Sequence, residues 1–199
     1  MFEILLSSNN NHKLEEYRKM LEPHGIKVYS LKDKNIIDDA EEDGDSYFAN
    51  SLIKAKSVSR FTSMPIIADD SGLEVHSLNN FPGIHTARFA KQCGGNAYAN
   101  LEIIKKLNDF ENKDADFKCV ITLLNVSDEP IQFLGICPGK ILEKPYGEHG
   151  FGYDPIFYSY EACVPFGLAE ENIKNKYSHR AKAVEQLLKY LKENNLIKE

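Results

Sequence analysis

IIADDSGLEV, residues 66–75, sets an apolar run against two adjacent carboxylates, Asp69 and Asp70, and then interrupts it with Ser71 and Gly72. The apolar residues read as a strand built for a core, so the pair of acids at its end needs a reason. One reason is a turn, because Asp and Ser hydrogen-bond to nearby backbone and Gly supplies positive φ. The other is a metal site. Neighbouring side chains on a strand point to opposite faces, so one of the two carboxylates must head inward or into a cleft.

Upstream, residues 2–7 (FEILLS) read as a short buried strand. It hands over through Ser8-Asn9-Asn10-Asn11 to an amphipathic helix, NHKLEEYRKML, with Leu14, Tyr17 and Leu21 on one side. A second strand is expected at 26–31. An acidic stretch follows, DDAEEDGD from Asp38 to Asp45, and then a helix whose inward side carries Phe48, Leu52, Ala55 and Ser59. The opening stretch itself is expected as two strands, 65–69 and 73–78. Downstream, a Pro-Gly loop at 82–83 leads to a helix at about 96–108 with Leu101, Ile104 and Leu107 at helical spacing. Residues 116–126 and 131–143 read as two long strands joined by the turn-rich Ser127-Asp128-Glu129-Pro130. After a glycine-bearing loop from Pro145 to Asp154, the chain ends in a helix with Val184, Leu187, Leu188 and Leu191 facing a core. Helices between the strands and at the end, with a long hairpin in the second half, give an α/β fold with a mixed sheet.

The 199 residues suffice for one good core and read as a single domain. With 42% apolar and 11% aromatic residues the chain should fold, and its formal charge of −6 argues against a duplex-DNA or anionic-membrane surface. An anionic partner must therefore be caught locally. Cys93, Cys119, Cys137 and Cys163 lack the close C-x-x-C pairs of a structural zinc site and are expected as buried free thiols. The start, MFEILLS, has no basic n-region and too short an apolar run for a signal peptide. No segment approaches the roughly 18 uninterrupted apolar residues of a membrane span. These features predict a soluble cytoplasmic protein with neither nucleic acid nor membrane as partner.

Four stretches offer chemistry. SNNNHK, residues 8–13, sits where a strand hands over to a helix. Backbone N–H groups and the helix dipole favour an anion there, and Lys13 adds a full positive charge, which suits a phosphate. The same Ser or Asn residues serve equally as a plain helix N-cap. The stretch is not G-x-x-x-x-G-K-[ST], which excludes a P-loop. Second, Glu41-Glu42-Asp43-Gly44 together with Asp69-Asp70 could supply carboxylates to Mg²⁺, which takes one or two from the protein and completes its shell with water and substrate phosphates. An acidic run is also the ordinary form of a solvated loop. Third, GFGYDP, residues 150–155, puts flexible backbone beside two aromatic rings and Asp154. That is either a slot for a planar base or a turn with its rings in the core. Fourth, SHRAKA, residues 178–183, follows Lys174 and Lys176, offers Ser178 as N-cap of the last helix, and stands His179 and Arg180 in its first turn. The dipole disfavours cations there, so Arg180 points to an anionic or acceptor-rich ligand. Phosphate donors, a divalent-metal site, an aromatic slot and a donor pair together describe a nucleotide.

These motifs, with EEDG followed by Asn50-x-x-x-Lys54-Ala55 and with PGIHTARFA at 82–90, run from residue 8 to residue 183. In that order they resemble those of the inosine/xanthosine triphosphate pyrophosphatases, most closely the bacterial XTP/dITP diphosphatase type. The resemblance implies a homodimeric, Mg²⁺-dependent enzyme that cuts nucleoside triphosphates between the α and β phosphates, releasing monophosphate and pyrophosphate. Deaminated purines such as ITP, dITP and XTP are the implied substrates, removed before they enter DNA or RNA. The implied fold is a long curved mixed sheet flanked by helices, in two lobes with the substrate groove between them. Matched residue by residue, Asp70 is the implied catalytic acid and a metal ligand, and Glu41 the second ligand. Ser8, Asn9, Asn10, Asn11, His12, Lys13, Lys54 and Ser71 are the implied phosphate-side contacts. Phe151, Gly152, Tyr153, Asp154, Lys174, His179 and Arg180 are implied on the base and sugar side. Hypoxanthine and xanthine present a carbonyl where adenine has an amino group, so donors such as His179 and Arg180 would pair with the first and mismatch the second. The chain departs from the family pattern at Asn9, where Gly is frequent, and at Ala49, where an acid is frequent; Asn tolerates left-handed backbone angles. On the residues alone, a metal phosphatase releasing orthophosphate and a non-catalytic nucleotide sensor stay open.

Overall fold

β1 (Phe2–Leu6) is flanked by two strands that run in its own direction, β2 (Ile26–Ser30) and β3 (Ile66–Val75). The computed structural model describes residues 1–198. Parallel neighbours need long crossovers, and these contain α1 (Asn11–Leu21) between β1 and β2 and α2 (Tyr47–Ser59) between β2 and β3. Because β2 and β3 lie on opposite sides of β1 and such crossovers are right-handed, the two helices fall on opposite faces of the sheet. Then follow β4 (Phe81–Pro82), α3 (Thr86–Gln92), α4 (Asn96–Lys106), β5 (Asp114–Leu124) and β6 (Ile131–Ile141). The chain closes with β7 (Phe157–Ser159), β8 (Val164–Pro165), α5 (Glu171–Tyr177) and α6 (His179–Glu193). One open mixed sheet results, in the order β2-β1-β3-β5-β6-β7-β8, with β4 paired to β3. The α/β fold with a mixed sheet flanked by helices is the expected one.

The chain divides into two compact units. The first holds Met1–Asp70, Cys119–Leu134 and the residues from Ala183 onward; the second holds Ser71–Lys118 and Gly135–Lys182. In the first unit, side-chain alternation along the strands sorts the core by face. Ile4, Leu6, Val28 and Ile67 pack with Tyr17 and Leu21 of α1 and with Val184, Leu187 and Leu191 of α6. Leu5, Ile66 and Ala68 pack instead with Ala55 and Val58 of α2. The second unit gathers Leu73 and Val75 with Ala99 and Ile103 of α4 and with Phe117, Phe157 and Phe166. The rings of Phe117 and Phe157 stand 4.4 Å apart.

Several expectations are corrected. Residues 66–75 form one strand rather than two, because the side chains of Asp69, Asp70 and Ser71 are engaged by distant residues instead of by a local turn. The inward face of α2 is Tyr47, Ser51, Ala55 and Val58, with Phe48 43% exposed. On α4 the buried face is Ala99, Asn100 and Ile103, and Leu101 is 55% exposed. The expected Ala55 and Leu107 are buried and Ile104 packs against the core, so the expected residues found turned outward are Phe48 and Leu101. All four cysteines are free, but only Cys119 and Cys137 are buried; Cys163 is exposed and Cys93 half-buried. The final helix has its expected cap, with Ser178 Oγ accepting the Ala181 N–H at 3.1 Å. No helix among the described residues is long and apolar enough to cross a membrane.

Gly139 of β6 pairs with Ser159 of β7. A Cβ there would collide with the Tyr158 carbonyl and stand 2.5 Å from Phe157 Cζ. Backbone cannot swing aside as a side chain does, so Gly139→Ala should destabilise the protein by about 1–3 kcal/mol, the usual range for overpacking. A urea titration followed by circular dichroism reads this as a lower midpoint with an unchanged native spectrum.

Candidate active site

The acids of β3 continue the alternation of the apolar residues before them. Asp69 follows Ile67 onto the α1 face. Its carboxylate takes a hydrogen bond from Lys13 Nζ, another from Tyr17 Oη at 3.1 Å and a weaker one from Cys119 Sγ at 3.5 Å. Lys13 and Tyr17 are one turn apart on α1, so a single helical ridge serves one carboxylate. Asp70 follows Ala68 onto the α2 face, where Lys54 Nζ meets its Oδ1 at 3.0 Å and Glu42 at 3.3 Å.

The two acids differ in how fully they are satisfied. Asp69 is held on both oxygens, whereas Asp70 Oδ2 is buried with no hydrogen-bond partner among the described residues. A buried unsatisfied oxygen is rare enough to call for an explanation. Burial lifts the Asp70 carboxyl to about 6, although Lys54 and Lys13 pull against it. Burial also opposes the charge of Lys54, but Asp70, Glu42 and Asp69 outweigh it and raise that pKa.

The carboxyl ends of β1 and β3 flank a topological switch point, since the crossover from β1 runs to β2 on one side and the next, from β2, returns past β1 to β3 on the other, and open α/β sheets bind ligands at such points. The chain leaves β1 with Ser7 N–H on the Ile67 carbonyl at 2.8 Å. Asn10 caps α1, its Oδ1 accepting the His12 N–H at 2.9 Å and the Lys13 N–H at 3.3 Å. Ser8 Oγ accepts the Asn10 N–H, and Asn9 Nδ2 donates to the Asp38 carbonyl at 3.1 Å. Asn11 and His12 are exposed on the first turn. The capping role and the anion-site role thus fall on one stretch. In the acidic loop Glu41 is exposed, while its neighbour Glu42 reaches Lys54.

In the second unit, the loop before β7 is built around Asp154, 2% exposed. Its Oδ2 accepts the Phe151 N–H at 2.7 Å and Lys174 Nζ at 2.6 Å. Gly150 has positive φ, and a Cβ there would run into the Asp154 carboxylate. The half-buried Phe151 ring lies 4.4 Å from Lys174 Nζ and 5.9 Å from the Arg180 guanidinium. Arg180, 1% exposed, donates to Ser71 Oγ at 3.1 Å. His179 stacks on Phe117 with ring centres 4.8 Å apart. Gly152 offers its carbonyl to Asn100 Nδ2 at 3.2 Å. Tyr153 lies in the core with its hydroxyl on the Thr86 carbonyl, and burial pushes its phenol well above the ordinary range. Of the two rings in the loop, Tyr153 is buried and Phe151 is the half-buried one.

A model of the Ham1 family matches residues 4–190. The chain belongs to that family. It is 39% identical over 190 residues to a protein of Flavobacterium johnsoniae named dITP/XTP pyrophosphatase, covering 95% of this chain and 97% of that one. A Bordetella pertussis protein of the same name is 38% identical over 195 residues, with 95% and 91% covered. Among solved structures, a Ham1 protein from Coxiella burnetii superposes with a TM-score of 0.87 at 35% identity, covering 97% of this chain and all of that one. The Staphylococcus aureus Ham1 protein gives 0.86 at 32% identity, with 96% and 99% covered.

Three residues of the clusters were not assigned from sequence. Tyr17 shows only as an apolar position of α1, and Glu42 cannot be told from Glu41 in a loop without periodicity. Asn50 lies within a quoted motif but carries no chemistry that spacing reveals.

The ionised Asp70 destabilises the fold, because its folded pKa of about 6 exceeds the ordinary 3.8. Its proton is therefore held more tightly in the native state, and stability falls as pH rises from 3.8 through 6. Asp70→Asn, which keeps an acceptor for Lys54, should be the more stable protein above pH 7, by up to about 3 kcal/mol. The advantage should vanish toward pH 4. Thermal melts in EDTA across that range test this; a gap that stays constant with pH counts against it.

Proposed function

We propose that the protein hydrolyses deaminated purine nucleoside triphosphates, dITP, ITP and XTP, to the monophosphate and pyrophosphate. The observation that carries this reading is Asp70: a buried carboxylate with one unpartnered oxygen, its other oxygen on Lys54, at the switch point of a sheet. Relatives that align over nearly the whole chain bear the name dITP/XTP pyrophosphatase.

The donor set fits Mg²⁺. Among the described residues no three His, Cys, Asp or Glu side chains converge into a closed cage, and Mg²⁺ needs only one or two carboxylates when substrate phosphates and water complete its shell. Asp70 Oδ2 supplies one. Glu42 is favoured over Glu41 for the other because it shares Lys54 with Asp70. When bound, the ion neutralises phosphate charge and lowers the pKa of water. The chain does the rest: Lys13, Lys54 and the first turn of α1 hold phosphate oxygens, and Asp70 takes the proton of the attacking water. A carboxylate lifted toward 6 is better matched to that task than an ordinary one.

On the base side, Phe151 offers a stacking face, and Arg180 and His179 offer donors to the carbonyl that distinguishes hypoxanthine and xanthine from adenine. A buried donor facing an amino group is left unpaired, which is the source of discrimination. The free thiols and a substrate from the nucleotide pool support a cytoplasmic enzyme that keeps such nucleotides out of DNA and RNA; the family resemblance supports a homodimer.

Purified protein incubated with dITP, ITP, GTP and ATP in Mg²⁺ should release pyrophosphate from the first two, little from the others, and none in EDTA. Orthophosphate as product, or tight ITP binding without turnover, would overturn the proposal. Asp70→Asn should lower kcat by about 10²–10⁴-fold, the usual worth of a general base, with the fold retained. Arg180→Ala should cut the preference for ITP over ATP by roughly tenfold or more; an unchanged ratio would move base recognition to other residues.

A further inference from the structure

The acidic loop does not reach Lys54 by chance of coil. Asn50, Lys54 and Ser57 occupy one face of α2 at i, i+4 and i+7, and each holds a different part of the loop. Asn50 Oδ1 accepts the Gly44 N–H at 2.9 Å, Lys54 meets Glu42 at 3.3 Å, and Ser57 Oγ donates to Asp38 Oδ1 at 2.5 Å. The loop thus runs along the helix in reverse order, Asp38 against its last turn and Gly44 against its first. Asn9 adds a second hold on Asp38 from the loop after β1.

At the Gly44 end the fit is tight. Asn50 is 1% exposed, and a Cβ on Gly44 would stand 2.7 Å from both Ala49 Cβ and Asn50 Oδ1. The helix beneath is itself fixed: Ser51 and Thr122 hydroxyls are 2.7 Å apart, and Gln132 Nε2 donates to Thr122 Oγ1 at 2.8 Å and to the Phe48 carbonyl at 2.9 Å.

We infer that Asn50 and Gly44 are positioning residues for the metal: their hydrogen bond sets the turn of the loop so that the Glu42 carboxylate stands beside Asp70. Neither touches substrate or ion. The inference rests on the reading of Glu42 and Asp70 as metal ligands. It assigns a task to the Asn50 of the Asn50-x-x-x-Lys54 motif, one helical turn before the lysine that joins the two carboxylates. Outer partners of metal ligands commonly carry 10–100-fold in metal affinity.

The test is Mn²⁺ binding to the whole protein, followed by electron paramagnetic resonance, beside the Mg²⁺ dependence of dITP hydrolysis. Asn50→Ala and Gly44→Ala should each weaken Mn²⁺ by roughly tenfold and raise the half-saturating Mg²⁺ equally, with kcat at saturating Mg²⁺ near that of the parent. Asn50→Asp keeps an acceptor for the Gly44 N–H and should recover most of the affinity. Gly44→Ala alters a loop rather than a buried side chain, so it still decides the matter if Asn50→Ala does not fold. Parental Mn²⁺ affinity in folded Asn50→Ala or Gly44→Ala, or a fall in melting temperature with no change in metal affinity, overturns the positioning role alone. A parent protein that binds no Mn²⁺ and needs no metal for hydrolysis overturns it together with the metal reading.

Discussion

Two adjacent carboxylates buried on one strand are the constraint to which the first unit answers. An unpaired buried charge costs several kcal/mol, and removing one partner of a buried pair is strongly destabilising, so Asp69 and Asp70 each require a cation. Strand alternation forbids them to share a face. Their lysines must therefore come from opposite sides of the sheet, which the β1-to-β2 and β2-to-β3 crossovers, on opposite faces, supply. Lys13 on α1 and Lys54 on α2 are in that sense one requirement met twice, and the strand order β2-β1-β3 is the topology that meets it. The pair is then divided by hydrogen bonding. Asp69, with Lys13, Tyr17 and Cys119 about it, is held as structure; Asp70, with an oxygen to spare, keeps the capacity to bind and to accept a proton.

Much of this was legible in the sequence, and the illegible parts share a physical cause. The α/β class, the apolar faces of α1 and α6, and the β5-β6 hairpin follow from periodicity, which is a local property. The continuity of β3 does not. Asp, Ser and Gly break strands when their side chains bond to their own backbone, but here Asp69 and Asp70 are occupied by lysines and Ser71 by Arg180, 109 residues away. Tertiary partners removed the local alternative. The faces of α2 and α4 misled for a related reason, since amphipathicity ranks Phe48 and Leu101 inward while Ser51 and Ala99 are the residues small enough to pack. The motifs disclosed the kinds of group at the candidate site, and a resemblance across the chain gave them roles. That Glu42, next to Glu41, is the one that reaches Lys54 required the loop to be seen lying on α2.

The cluster of the second unit is organised around a buried acid as well, but to a different end. Asp154 spends its Oδ2 on the Phe151 N–H and on Lys174, and the missing side chain of Gly150 lets the carboxylate come that close. Asp154 thereby fixes the backbone that presents Phe151, and brings Lys174 against the ring face, an arrangement favoured by cation–π attraction. Arg180 approaches the same ring while fully buried. A guanidinium kept from water at the start of α6, against the helix dipole, is a strong charge-assisted donor. Selectivity under the proposed function then needs no clash with adenine, only the cost of leaving such a donor without its acceptor.

Charge balance bears on how the cluster would meet a triphosphate. Lys13 and Lys54 bring two positive charges to the β3 acids, against three negative charges from Asp69, Asp70 and Glu42. Above pH 6, with Asp70 ionised, the cluster is net negative, in a chain whose formal charge is already −6. Such a cluster repels a triphosphate, and its lysines are engaged by carboxylates that phosphate oxygens would have to displace. Under the proposed function Asp70 and Glu42 would hold a divalent cation, whose charge would offset that of the carboxylates now paired with Lys54. The lysines best placed to hold phosphates are held by the protein's own carboxylates, Lys13 by Asp69 and Lys54 by Asp70 and Glu42, so phosphate binding under the proposed function would require those pairs to be loosened.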